Sequence, residues 1–166
     1  MEIRSETPAD IAAIEAVTVA AFQHAAHTQH TEQFIVAALR RAGALMVSLV
    51  AEEEGEVVGH VAVSPVTVSG GVVGWYGLGP VSVAPAYQGR GVGRAPVERA
   101  LAELRALGAA GCVVLGEPGY YARFGFVAEP ALVLAGVPAE YFQALAFIGP
   151  PPSGTVAYQP AFAATA

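Results

Sequence analysis

Apolar residues recur along this chain with two different periods, and the switch between them divides it into elements. Glu2-Ile3-Arg4 reads as a short strand. Thr7-Pro8-Ala9-Asp10 then has the form of a helix start, with Thr7 as N-cap, Pro8 at the first helical position and Asp10 at the positive end. Ile11, Ile14, Val17 or Thr18, and Ala21 follow at helical spacing and predict a helix through Phe22. A polar, histidine-rich connector, His24 to His30, leads to a second helix opened by Thr31-Glu32-Gln33-Phe34. Its apolar positions are Phe34, Ile35, Ala38 and Leu39. Arg40 and Arg41 suit its negative end, and Gly43 suits its stop.

From residue 45 the pattern turns to β. Leu45 to Glu52 is β-rich, Glu53 to Glu56 is a turn, and Val57 to Val68 is a strand broken near Pro65. After the turn Ser69-Gly70-Gly71, Val72 to Val83 is a further strand. It carries Gly77, Gly79 and Pro80 in its middle, as at a bulge or a close approach. Val97, Ala100, Leu101, Leu104 and Leu107 then form the apolar stripe of a helix ended by Gly108, and Gly111 to Leu115 is a short strand of the kind buried in a parallel pair. Tyr120 to Phe126 reads as a short helix ended by Gly125. Val127 to Leu134, Tyr141 to Phe147 and Thr155 to Tyr158 read as strands, with a stiff proline loop over 149–154. Pro96 conflicts with this scheme. With the helix opening at the glycine stretch before it, a proline four or five residues in removes a backbone hydrogen bond at a cost of about 3 kcal/mol.

Composition narrows the class. The 166 residues suit one domain, 1–166, with a single developed core. The chain is 54% apolar and only 13% charged, yet glycine and proline interrupt every long uncharged run, so no transmembrane helix is expected. No apolar signal core follows the first residues, which points to the cytoplasm. The net charge is −6 and lysine is absent, which argues against nucleic acid as a partner. Cys112, the sole cysteine, lies in an apolar run and reads as core.

The scarce positive charge is concentrated at Gln88-Gly89-Arg90-Gly91-Val92-Gly93-Arg94, with Arg99 just beyond. A strand that enters a glycine-rich turn and leaves as a helix makes an anion site, because the free N–H groups of the turn and the helix N-terminus serve one ligand. A P-loop needs a lysine that the chain lacks. The dinucleotide fingerprint fails in both registers, where Arg94 or Pro96 stands in place of the third glycine.

The pattern that remains, Gln88-x-x-Gly91-x-Gly93 between strand and helix, resembles the acyl-CoA signature of the GNAT N-acetyltransferase superfamily. Leu78 to Gln88 looks like that family's fourth strand and its approach to the loop. Tyr121-Ala122-Arg123-Phe124-Gly125-Phe126 is similar to its later Tyr-x-x-x-Gly-Phe element. The resemblance implies a mixed α/β fold, a central, mostly antiparallel sheet flanked by helices and splayed between its fourth and fifth strands. It implies acetyl-CoA as cosubstrate, its diphosphate held by the N–H groups of Gln88, Gly89, Arg90, Gly91, Val92, Gly93 and Arg94. The main chain of Val81 and Val83 would pair with the pantetheine arm, an N–H near Val81 would face the developing oxyanion, and Tyr121 would protonate the departing thiolate. Tyr120 reads as structural.

The resemblance leaves the base open among water, Glu117 and His60, since Val72 to Val83 carries no carboxylate. Glu52, Glu53 and Glu54 read as a solvated charge run. His24, His27 and His30 lack a convincing third metal ligand, so no metal is expected, and by resemblance they border the acceptor site. The implied acceptor is a small amine or the amine of a peptide N-terminus or lysine, consistent with an acidic protein. The implied assembly is a homodimer. The competing expectation is a GNAT-like domain that binds acyl-CoA without turnover.

Overall fold

In the computed structural model, residues 1–26 and 28–166 are described, so His27 of the connector lies outside the described residues. The elements follow in the order β1 (Glu2–Ser5), α1 (Ile11–Phe22), α2 (Glu32–Arg41), β2 (Val47–Glu53), β3 (Glu56–Pro65), β4 (Thr67–Val68), β5 (Trp75–Val83), α3 (Arg94–Ala106), β6 (Gly111–Leu115), α4 (Pro118–Tyr121), β7 (Val127–Ala128), β8 (Leu132–Val133), β9 (Phe142–Ala146) and β10 (Gly154–Ala157). Seven strands form one sheet in the order β1-β2-β3-β5-β6-β9-β7, and β4-β10-β8 form a second, smaller one. Within the large sheet only β5 and β6 pair in parallel. The expected fourth and fifth strands are thus β5 and β6. No helix among the described residues is long and apolar enough to cross a membrane.

Strand alternation sends the two faces of the large sheet to different partners. Leu49, Val61, Val63, Leu78, Cys112 and Val114 pack against Val97, Ala100, Leu101 and Leu104 of α3. On the opposite face Val50 packs with Ile14 of α1 and Val36 of α2. Cys112 is fully buried, and burial pushes its thiol well above the ordinary range, in keeping with a core residue. The smaller sheet helps to close a third cluster, in which Val68, Leu132 and Val156 meet Trp75, Val113, Phe142 and Ala144.

Several sequence expectations are corrected. Leu107, expected in the stripe of α3, lies just past its end and is 59% exposed; on α1 Ile11 faces out, and the buried stripe is Ile14, Val17 and Thr18. Val127 to Leu134 is two separate two-residue strands, β7 in the large sheet and β8 in the small one. The strand expected from Val72 starts at Trp75. Glu52 is not simply solvated, since it accepts from Arg4 Nε at 2.9 Å. Arg4 also grips both oxygens of Asp10, at 2.7 and 2.9 Å, and its hydrogen bonds hold that carboxyl far below the usual carboxylate range. Asp10 in turn accepts from the Thr7 N–H at 2.7 Å, which closes the expected helix start. Pro96 costs no hydrogen bond. The helix begins at Arg94, its first bond of this register runs from the Val97 N–H to the Gly93 carbonyl, and Pro96 occupies the first turn, where N–H groups lack intrahelical acceptors.

Candidate acyl-CoA site

β5 and β6 pair from Trp75↔Gly111 to Leu78↔Val114 and then separate. Beyond Leu78, β5 remains joined only to β3, with a bulge where Val61↔Val81 and Val63↔Leu78 leave Gly79 and Pro80 against Ala62. The result is a gap between the two central strands, the splay expected from the sequence. The Ala84 N–H bonds the Val58 carbonyl at 2.8 Å. By alternation, the main-chain groups of Val81 and Val83 therefore turn away from β3, toward the gap. The Val83 carbonyl accepts from Gln88 Nε2 at 2.9 Å, so the glutamine side chain shapes the bend at the end of β5.

A 3-10 turn at Pro85–Tyr87 leads into the glycine stretch. Gly89 and Gly91 adopt φ of +73° and +76°, a conformation that L side chains rarely adopt. The N–H groups of Gly89, Arg90, Gly91, Val92 and Gly93 find no acceptor among the described residues. Five consecutive unbonded N–H groups thus lie at the positive end of α3. The stretch is nonetheless fixed, because the Val92 side chain is buried with Ala51 and Val58. Arg90 donates to the Ala86 carbonyl at 3.2 Å and lies over the Tyr87 ring. Arg94 is paired with Glu98 at 2.7 Å.

Tyr121 stands at the far side of the gap, on α4. Its ring lies against Gly116, just past the end of β6, where a Cβ would overlap it. Tyr120, Phe124 and Phe126 surround it, with ring centroids at 5.0, 6.2 and 6.0 Å. Burial, then Tyr120 and Cys112, push its phenol above the ordinary value. The hydroxyl is therefore a proton donor throughout the neutral range.

The two base candidates differ sharply. Glu117 is exposed at the N-cap of α4, and its carbonyl accepts the N–H groups of Tyr120 and Tyr121 at 3.1 Å. His60 is fully buried on β3, on the α1 side of the sheet, and burial lowers its pKa to about 4, with Glu6 opposing and Arg40 adding to the shift. It belongs to a network that the sequence did not reveal. Arg40 Nε and Nη2 donate to Glu6 at 3.0 and 2.9 Å, Ser48 Oγ also contacts Glu6 Oε1, and His60 Nε2 lies 2.7 Å from Ser48 Oγ. Burial works against ionisation of Glu6, but the bonds from Arg40 and Ser48 outweigh it and hold the carboxyl below its ordinary value. An ionised Glu6 can only accept, so Ser48 must donate to it and accept from His60 Nε2–H. The remaining nitrogen, Nδ1, carries the lone pair, and it has no partner. Among the described residues no group of three His, Cys, Asp or Glu could hold a metal ion.

The sheet with a gap beside a glycine-bound helix defines a class, and comparison with known proteins agrees. A model of the acetyltransferase (GNAT) family matches residues 11–126, more than half of the chain, and the chain belongs to that family. It is 40% identical over 127 residues to the uncharacterized N-acetyltransferase YhbS of Escherichia coli strain K12, covering 76% of this chain and 73% of that one. A GNAT family acetyltransferase from Brucella melitensis, solved in complex with acetyl-CoA, superposes with a TM-score of 0.87 at 53% identity over 97% of both chains. Escherichia coli YhbS in complex with CoA superposes with a TM-score of 0.84 at 33% identity, over 97% of this chain and 91% of that one. The resemblance read from the glycine stretch and the Tyr121 element is borne out, together with the fold and the acetyltransferase class.

Proposed function

We propose that this chain transfers the acetyl group of acetyl-CoA to a primary amine by direct attack, with Tyr121 as general acid. The observation that carries the reading is the run of five unbonded N–H groups, Gly89 to Gly93, placed at the N-terminus of α3 beside the gap between β5 and β6. The acetyl-CoA and CoA complexes of the two similar structures support the same ligand here. The N–H groups from Gly89 to Gly93 hold the diphosphate, with Arg90 adding charge, whereas those of Gln88 and Arg94, also expected to do so, are taken by the Pro85 and Gly91 carbonyls at 3.3 Å. Val81 and Val83 offer main-chain partners to the amides of the pantetheine arm, as an added strand would use them. The thioester then lies in the gap.

Acetyl-CoA supplies the activated acyl group. The amine nitrogen attacks the carbonyl carbon, the N–C bond forms, and an N–H near Val81 stabilises the oxyanion. As the C–S bond breaks, Tyr121 gives its proton to the thiolate and afterwards regains one from water; burial keeps the phenol protonated beforehand while making it a weaker acid. The ammonium proton leaves through water. His60 is a poor acceptor for it, since an imidazole with a pKa near 4 stays neutral beside an amine of far higher basicity.

A screen of amines that follows release of free CoA tests this reading. Tyr121→Phe is expected to cut thiol release by about 10²-fold or more while acetyl-CoA still raises the melting temperature. Gly91→Glu is expected to abolish that rise, because bulk and negative charge enter the loop. A Tyr121→Phe variant that turns over at the wild-type rate would remove the tyrosine from the mechanism.

A further inference from the structure

Three buried side-chain polar atoms lack a partner among the described residues: His60 Nδ1, Ser64 Oγ and Tyr158 Oη. His60 belongs to the Glu6 network, and the mechanism above uses neither of the other two. A hydroxyl buried without a partner costs stability, so two of them kept side by side call for a ligand. Tyr158 follows β10 and lies beyond residues 11–126, the part of the chain that matches the family. Its Cε1 and Cδ1 stand 2.5 and 3.0 Å from where a Cβ on Gly77 would be, so glycine there admits the ring. Phe162 backs it, with centroids 4.9 Å apart, from a 3-10 turn over Pro160–Ala163 that packs on α2. Gly77 is paired with Ser64 on β3 and with Val113 on β6. Directly paired residues share a face of the sheet, so Ser64 stands beside the Tyr158 ring.

Gly77 precedes Leu78, the last residue of β5 that pairs with β6, which puts Tyr158 at the mouth of the gap. Two residues on, no described atom comes within 4 Å of where a Cβ on Gly79 would stand, so the mouth is open. Leu78, Val114 and Tyr121 pack with α3, whereas Tyr158 packs with Trp75 and Val113 on the face turned away from it. The two tyrosines thus flank the gap from opposite faces. Burial, then Cys112 and Tyr121, push the Tyr158 phenol above its ordinary value. It therefore keeps its proton and offers a donor and a lone pair. With the diphosphate at the N-terminus of α3 and the thiolate beside Tyr121, the coenzyme occupies the α3 side. The amine comes to the carbonyl carbon from the other face.

We propose that Tyr158 and Ser64 bind the acceptor amine, each hydroxyl oxygen taking one of its N–H groups, so that the nitrogen lone pair is left for the carbonyl carbon. The inference rests on the acetyl-transfer reading above and narrows its substrate class. The acceptor is a primary amine taken up in its neutral form, because the side chains packed around Tyr158 carry no charge. The C-terminal segment then supplies a part of the acceptor site, while the glycine stretch and Tyr121 serve the coenzyme.

Initial rates of CoA release at one mildly alkaline pH, with alaninamide and with butylamine, test this beside calorimetric titration of acetyl-CoA and CoA. The two amines stand for a peptide N-terminus and a lysine side chain. The wild-type chain is expected to favour alaninamide, since an α-amine of pKa about 8 is neutral in far larger share than an alkylamine of about 10.4. Tyr158→Phe and Ser64→Ala are each expected to raise KM for alaninamide by about tenfold, as for one lost hydrogen bond, and to change kcat by less than about threefold. Affinity for acetyl-CoA and CoA stays at the wild-type value, and unliganded melting curves show that both variants are folded. A wild-type KM in either variant overturns the assignment of that residue. A loss of affinity for acetyl-CoA but not for CoA in Tyr158→Phe puts the hydroxyl on the acetyl carbonyl and overturns the amine assignment. A preference for butylamine overturns uptake of the neutral form. If the wild-type chain binds acetyl-CoA but releases CoA with neither amine, the amine-transfer reading fails and this inference falls with it.

Discussion

β3 carries fully buried residues on both of its faces, and they obey different rules. Val61 and Val63 face α3 in a cluster made wholly of hydrophobic residues. His60 and Ser64 face the other way, where Thr18 and Ser82 are also buried and polar. On the first side, shape and volume decide what fits. On the second, each hydroxyl or ring nitrogen needs a partner, and the partners come from distant segments: Glu6 after β1, Arg40 on α2 and Ser48 on β2. Two groups on this face, His60 Nδ1 and Ser64 Oγ, are left without one. The fold therefore has one face that stores stability and one that carries unfinished hydrogen bonding.

The largest expected difference between the faces is in packing. Leu104→Ala, at a position with no exposure, is expected to cost about 2–5 kcal/mol in denaturant unfolding, from lost transfer energy and the cavity left behind. A loss under about 1 kcal/mol would mean that the apolar face is loosely packed. The next effect belongs to pH. His60 takes up its proton near 6.5 in an unfolded chain and near 4 in the folded one. Between these values the unfolded chain binds more protons, so stability falls as the pH drops through this window, by up to about 1.4 kcal/mol per unit. Glu6 and Asp10, both held low, add their own losses only at more acid pH, as they become protonated. His60→Gln is expected to flatten the slope between about pH 6.5 and 4. An unchanged slope would mean that His60 takes up its proton at the same pH in the folded and the unfolded chain. The smallest effect is at Ser64. Removing its unpaired hydroxyl in Ser64→Ala is expected to leave stability unchanged or raise it by about 1 kcal/mol. A clear loss in the same unfolding experiment would show that the hydroxyl holds a structural water.

The same contrast explains how much was legible in the sequence. The elements of the apolar face announce themselves by period: the stripe Val97, Ala100, Leu101, Leu104 and the run Gly111 to Leu115 stand where the pattern put them. Leu107 broke the pattern because the helix ends beside it and leaves it in solvent. The glycine stretch and Tyr121 were readable because each is a local signal, a few residues whose spacing carries its own geometry. The Glu6, Arg40, Ser48 and His60 network was not, since its members are scattered along the chain and none has a distinctive neighbour. The small sheet was invisible for a related reason. Its strands lie within runs read as strands, but their pairing was not readable, since β10 joins β4 and β8 from far along the chain.

Pro96 has a consequence for the loop before it. A helix that begins at Arg94 could, on hydrogen-bonding grounds, wind one turn further back and absorb the glycines. To do so it would need the N–H of residue 96 for the Val92 carbonyl, and proline has none; its ring also crowds that carbonyl. The buried Val92 side chain secures the loop from below, and the proline denies it a helical alternative from above. The open shape of the loop is thus written into the chain twice, once by what holds it and once by what it is forbidden to become.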